Sequence, residues 1–285
     1  MRRRFPLKNH KLSRQMMAAP YTAWIILFIV VPLGMVFYYG LTDKTGAFTL
    51  ENVLDIMSAE HAKALWYALG LSLISTLICF LLAYPLAMIL ADREGNAKLN
   101  RHSLILLIFI LPMWMNFLLR TLAWQTLLEK TGVINRILEF FHLPSLQIIN
   151  TPYAIILGMV YNFLPFMVLP IYNALVKIDP NVISAAQDLG ANRLQTFLRI
   201  TFPLSLGGVI SGITMVFIPA LTTFVISKLL GGSKILLIGN VIEEEFTLAS
   251  NWHLGSGLSI VLMLFIILNM VVSAIFDKEG EGNML

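Results

Sequence analysis

Six stretches of this chain are apolar for long enough to cross a bilayer, and that decides the architecture before any motif is read. A spanning helix needs about 20 mainly apolar residues to traverse roughly 30 Å of hydrocarbon. Runs of that kind lie at about 21–41, 65–90, 104–122, 153–176, 204–230 and 254–274. Charged residues make up 13% of the chain and hydrophobic ones 58%, against about a quarter charged in ordinary soluble domains. The deficit means that much of the surface faces lipid. The expected fold class is therefore all-α, a polytopic membrane protein with six transmembrane helices. No small-residue cleavage site leads from the first run into a soluble domain, so it reads as a retained span rather than a signal peptide.

The distribution of Lys and Arg sets the orientation. With the N-terminus inside, the inner segments hold Arg2, Arg3, Arg4, Lys8, Lys11, Arg14, Arg93, Lys98, Arg101, Lys177, Arg193, Arg199 and Lys278, and the outer segments hold the remaining seven of the 20 basic residues. The inside-positive rule places both termini in the cytoplasm of a cell (plasma) membrane protein. The basic run at the N-terminus reads as part of this signal rather than as a nucleic-acid arm, so no nucleic acid is expected as a partner. The lone cysteine, Cys79, lies inside an apolar run and reads as a small packing residue.

The outer loop over 42–64 is expected to contain a short helix. The outer segment 123–150 alternates Leu127, Leu128, Ile134, Ile137 and Leu138 with polar residues, which predicts a short amphipathic helix at the interface. Gly208 and Gly212 are four apart, so one face of the fifth span is nearly without side-chain volume and invites a neighbouring helix. Pro32, Pro85, Pro112, Pro165 and Pro170 fall in or near spans, where kinks are expected.

Catalytic constellations are absent from the sequence. There is no P-loop, since Gly231, Gly232, Ser233 and Lys234 lack the upstream glycine; there is no HExxH and no GxSxG. The five histidines are scattered, so neither a metal site nor a cofactor is expected, and the chain reads as a non-enzyme. The spans carry no Asp or Glu centrally, which argues against a proton relay. Polar candidates for a pathway sit toward the outer span ends: Trp114, Asn116 and Arg120 on the third, Tyr161 and Asn162 on the fourth, Tyr38 and Tyr39 on the first. For the aromatics the alternative is an interfacial belt, and Arg120 has the option of snorkelling to the outer headgroups. Glu243, Glu244 and Glu245, in the outer loop after the fifth span, form a solvated run or attract a polycation at the mouth.

One polar stretch interrupts the pattern, 179–204. Asp179 suits an N-cap and Pro180 the first helical position. Val182, Ala185, Ala186 and Leu189 share one apolar stripe, Gly190 stops the helix, and a second short helix with Leu194, Phe197 and Leu198 runs to Pro203. Two short amphipathic helices hinged at Gly190 are expected, either as a connector on the membrane surface or as a docking element.

The spacing Ala185-Ala186, Gly190, Ile200 and Pro203 resembles the EAA loop of ABC-importer permeases, the cytoplasmic coupling element that fits a groove on an ATPase subunit. The runs at 110–124, 161–175 and 231–242 extend the resemblance to the B-type spermidine/putrescine (polyamine) permeases of the binding-protein-dependent transport permease family. It covers about the last four fifths of the chain. It implies an ABC importer type I permease fold: a basic cytoplasmic segment at 1–20, a first span and outer loop at 21–64, a permease core at 65–276 with the coupling loop at 179–204, and a cytoplasmic tail at 277–285. It also implies a heterodimer with a C-type permease, two copies of an ATPase subunit that hydrolyses the ATP, and an extracytoplasmic polyamine-binding protein. Ala185, Ala186, Asp188 and Gly190 would carry the ATPase coupling. Ser184 stands where the family usually has Glu, which removes that carboxylate's salt bridge and leaves Asp188 nearby.

A polyamine importer without central carboxylates would hold its cargo weakly, through aromatic faces such as Trp114 and Tyr161 at about 0.5–2 kcal/mol each. Arg120 would repel such a cargo, so it is expected to hold loop carbonyls or an acidic partner. The rival reading is a secondary transporter or channel independent of any ATPase. An integral membrane enzyme comes third.

Overall fold

The structure, a computed structural model, describes residues 19–91, 107 and 109–282. Among the described residues it consists of helices and their connections, with one isolated β-bridge between Thr42 and Phe48. Five helices are long and apolar enough to span a membrane: α1 (Ala19–Gly40), α3 (Ala59–Ala91), α6 (Pro152–Val176), α8 (Arg193–Thr222) and α10 (Trp252–Gly282). Between them lie α2 (Glu51–Leu54), α4 (Phe117–Leu128), α5 (Val133–Phe140), α7 (Pro180–Asp188) and α9 (Ile238–Thr247). The short helices anticipated in the two outer segments correspond to α2 and α5.

The expected third span at 104–122 falls partly outside the described residues, and its described part is not one helix. A single 3-10 turn, Leu111–Trp114, ends in extended backbone at Met115, and Asn116 then opens α4. The cause is local. Pro112 has no N–H to donate, and the Asn116 side chain accepts from the amides of Leu118 and Leu119, so a new helix starts where the old one would have continued.

The core is built from α3, α6 and α8. Ala68, Cys79, Ala83 and Ala87 of α3 meet Met159, Met167 and Ile171 of α6 and Val209, Val216 and Ala220 of α8. Cys79 is a packing residue, as expected, its Sγ 3.9 Å from the Val160 carbonyl. Apolar side chains gain little by leaving lipid for another helix, so association depends on close contact between small residues. Gly208 and Gly212 supply it: a Cβ at Gly208 would stand 2.6 Å from the Pro170 carbonyl oxygen, and one at Gly212 2.7 Å from Met167 Sδ. The kink prolines Pro165 and Pro170 lie on that same helix, α6.

Outside this core, α1 packs mainly on α10. Gly40 is so close to α10 that a Cβ there would lie 2.6 Å from Ile260 Cδ1. The Asn52 amide of α2 donates to the Thr42 carbonyl at 3.0 Å, and His253 Nδ1 reaches the same carbonyl at 2.7 Å, tying the end of α1 to α2 and the start of α10.

The fifth span departs from expectation at both ends. It begins at Arg193, because the chain passes through a π-helical stretch, Phe197–Thr201, and past Pro203 without breaking. Pro203 sits in the first turn after that stretch, where a missing N–H is cheapest. At the other end α8 stops at Thr222 rather than near 230. Extended backbone at Thr223 leads into a short turn, Ser227–Gly231, and back to α9. Irregular backbone at this depth requires internal partners, and Asn240 provides them. Its side chain accepts from the Ser227 hydroxyl and the Leu237 amide and donates to the Phe224 carbonyl.

Candidate functional site: a jointed helix and an aromatic cluster

The segment 179–192 is held by its own caps. Asp179 accepts from the Asn181 amide at 2.9 Å with Pro180 at the first helical position. At the far end the Gly190 amide donates to the Gln187 carbonyl and the Ala191 amide to the Ala186 carbonyl, with Gly190 at φ +86°. That is a Schellman motif, and it needs a left-handed residue at this point. Two residues on, Asn192 and Gln195 exchange side-chain and backbone hydrogen bonds in a capping box that starts α8. Gly190 is therefore a joint between a nine-residue helix and a long span, not between two short helices.

Of the four residues expected to share one apolar stripe, only Ala186 is buried. Val182 and Ala185 are exposed, and Leu189 is 90% exposed. Off that stripe, Ile183 and Ser184 line a cavity of about 720 Å³ with Met88, Ile89, Leu175 and Ile178 at the ends of α3 and α6. The stripe did not single out Ile183. Asp188 and Gly190 are exposed beside Leu189. Leu194 and Leu198 are exposed as well, which gives this end of the molecule a set of unpartnered apolar side chains. The Ser184 hydroxyl donates to the Pro180 carbonyl of its own helix.

The pathway candidates separate. Trp114 is 81% exposed, and Asn116 is occupied as the α4 cap. Tyr161 is partly exposed and meets Trp124, which sequence reading had not singled out, edge-on at 5.3 Å; Phe117 stacks on Phe163 at 6.5 Å. Asn162 is fully buried, donates to the Gly158 carbonyl, and leaves its Oδ1 unpaired. Trp124 and Phe117 recur seven apart on α4, a spacing that would have marked this face as one facing α6.

Arg120 lies on the same α4 face and is only 7% exposed. Its Nε is closed off from the surface with no acceptor among the described residues. The carboxylate run is not a loop but part of α9. Glu243 pairs with Lys228 at 3.1 Å, and the Glu244 and Glu245 carbonyls accept amides that close the helix end. At the end of α1, Asp43 takes the Thr45 hydroxyl and the Thr45 and Ala47 amides, which hold its carboxyl below the usual range. Among the described residues no group of acids, histidines or cysteines is placed to hold a metal.

Residues 71–278, from within α3 into the end of α10, match the family of binding-protein-dependent transport system inner membrane components. The chain belongs to that family. It is 35% identical over 285 residues, covering 96% of this chain and 98% of the relative, to the spermidine/putrescine transport system permease protein PotB of Haemophilus influenzae. It is 36% identical to the protein of the same name from Escherichia coli, covering 93% of this chain and 99% of that one. In fold it matches a chain of a bacterial ABC transporter that imports the acidic polysaccharide alginate, with a TM-score of 0.79 at 19% identity over 96% of this chain and 97% of the other. A chain of the MetNI methionine ABC transporter in an inward-facing conformation matches with a TM-score of 0.55 at 19% identity, covering 77% of this chain and 95% of that one. The chain is thus a multi-pass membrane permease subunit of a binding-protein-dependent transport system, with the ABC importer permease fold, and not itself an enzyme.

Proposed function

We propose that this permease moves polyamines, spermidine or putrescine, inward across the plasma membrane by alternating access, driven by two copies of a separate ATPase. The observation that carries the reading is the exposed jointed helix α7, standing on the ends of two core spans in a chain alike over nearly its whole length to permeases named for polyamine transport. Leu189, Ala185 and Asp188 offer a mixed apolar and acidic contact. Gly190 fixes the angle at which it meets α8, and Ala186 seats it. A push on α7 is transmitted through Ile183 to α3 and α6, and through the capping box into α8.

In this reading both termini (1–20 and 277–285) and the 179–204 loop are cytoplasmic, 21–64 forms the first span and outer loop, and 65–276 is the permease core. A second permease, of C type, completes the passage, and an extracytoplasmic polyamine-binding protein delivers to the outer mouth. Tyr161 with Trp124, and Trp114 nearby in sequence, supply the cation-facing aromatic surface. Asn116 and Asn162 hold the helices that carry them. Glu243 is neutralised by Lys228, so any attraction of a polycation falls to Glu244 and Glu245. The test is uptake of labelled spermidine into proteoliposomes holding the permease pair, with binding protein outside. The expected result is uptake only with the ATPase and ATP; uptake under an ion gradient without the ATPase would refute the reading.

A further inference from the structure

Arg120 is the only charged side chain among the described residues that is less than a tenth exposed. It sits on α4 beside Tyr161 of α6, with α4 running alongside the Ser227–Gly231 turn. Such a guanidinium demands acceptors, because leaving a charge in a poorly polarisable setting unpaired is far more costly than pairing it. Among the described residues there is none. No loop carbonyl among the described residues accepts from Arg120, and no described carboxylate pairs with it: Glu243 is taken by Lys228 and Asp43 by its own loop. Glu129, on the same side of the sequence, is nine residues along, about 13 Å up the helix axis. Only Nε is closed off from the surface, so the terminal nitrogens keep a narrow opening. Around it Met115, just before α4, and Leu118 and Leu119 of α4 are exposed, with no described helix covering them.

We infer that a carboxylate of the second permease subunit enters this opening and pairs with the terminal nitrogens of Arg120, making the residue an intersubunit contact rather than part of the cargo site. This rests on the reading above that two permease chains form the passage. A carboxylate fits because guanidinium offers two parallel N–H donors in a plane, which a carboxylate matches bidentately and a lone carbonyl does not. A cationic cargo is excluded by sign. Pairing across the interface also removes the conflict of an unshielded positive charge beside a route for polycations.

The test uses the complete importer, with co-purification of the two permeases and spermidine uptake as separate readouts. Arg120→Glu should lower both at least 10-fold, Arg120→Met should lower co-purification, and Arg120→Lys should recover part of it. In the Arg120→Glu background, changing one Asp or Glu of the second permease to Lys should restore assembly. Membrane level and a monodisperse elution profile of the single chain exclude misfolding as the cause, and a variant that fails them is replaced by Arg120→Gln. If Arg120→Glu assembles and transports like the unaltered complex, or if no acid-to-lysine change in the second permease restores it, the pairing is overturned. If the unaltered chain co-purifies with no second permease at all, the functional reading fails first and takes the pairing with it.

Discussion

Gly190 offers the sharpest handle on the mechanical reading, because its requirement is purely conformational. Its φ of +86° lies in the left-handed region, and no atom lies within 4 Å of where a Cβ would be. A larger residue would therefore meet no clash, and its whole cost comes from the backbone. For a non-glycine residue held left-handed that cost is about 1–2 kcal/mol, greater for a β-branched side chain and least for Asn. About 1.4 kcal/mol is a factor of ten in an equilibrium, so Gly190→Val should reduce the population of the jointed geometry by roughly 5- to 30-fold. Gly190→Asn, similar in bulk, should leave it nearly intact. The readouts are hydrogen exchange over 179–196, where the Ala191 and Gly190 amides should lose protection in the valine variant, and the ratio of spermidine imported to ATP hydrolysed, which should fall with them. Membrane insertion should be equal in both. Equal behaviour of the valine and asparagine variants, in protection and in transport ratio, would refute the idea that the angle at this joint is what matters.

Three further outcomes follow from the packing and the loops. Gly208→Val pushes a side chain onto the Pro170 carbonyl and Ile171 Cα; backbone cannot give way as a flexible side chain does, so thermal unfolding in detergent should show a loss of about 1–3 kcal/mol. Asn240→Ala strips the Leu237 amide of its acceptor and the Ser227 hydroxyl of one partner in a buried setting, costing about 1–3 kcal/mol. The melting curve should fall, while Asn240→Asp in the same assay should restore part of the loss. In the loop after α1, the Asp43 carboxyl is depressed by the hydrogen bonds it accepts, so its contribution is complete above the ordinary carboxylate pKa of about 3.9 and is lost as pH falls through the lower folded value. Amide exchange at Thr45 and Ala47 should be unchanged between pH 7 and 5 and should accelerate only below about pH 4; Asp43→Asn should exchange fast throughout.

Much of the architecture was legible because lipid imposes simple rules on a sequence. Run length located five of the spans to within a few residues at most of their ends, and the Gly208/Gly212 spacing announced a close helix contact that α6 makes. Asp179, Pro180 and Gly190 spelled out the caps of α7 correctly, since capping is a property of neighbouring residues. What periodicity left open was the way the stripe faces. Val182, Ala185 and Leu189 are exposed and only Ala186 is buried, while Ile183, off the stripe, lines the cavity at the ends of α3 and α6. Over its described part the third span is interrupted, because hydropathy does not register that Pro112 and the Asn116 cap together favour a restart over a continuous helix.

The sequence alone determined that this chain lives in a membrane as a bundle of helices, that it carries no chemistry of its own, and that one capped, glycine-jointed segment stands apart from the spans. These follow from composition, length and nearest-neighbour hydrogen bonding, none of which depends on distant contacts. Only the tertiary structure decided that α8 ends at Thr222 and folds back under the Asn240 side chain, that Tyr161 faces Trp124, and that Arg120 is buried with no partner among the described residues. Those outcomes turn on which side chains meet across tens to more than a hundred residues, and a polar atom reveals whether it is satisfied only when its neighbours are in place.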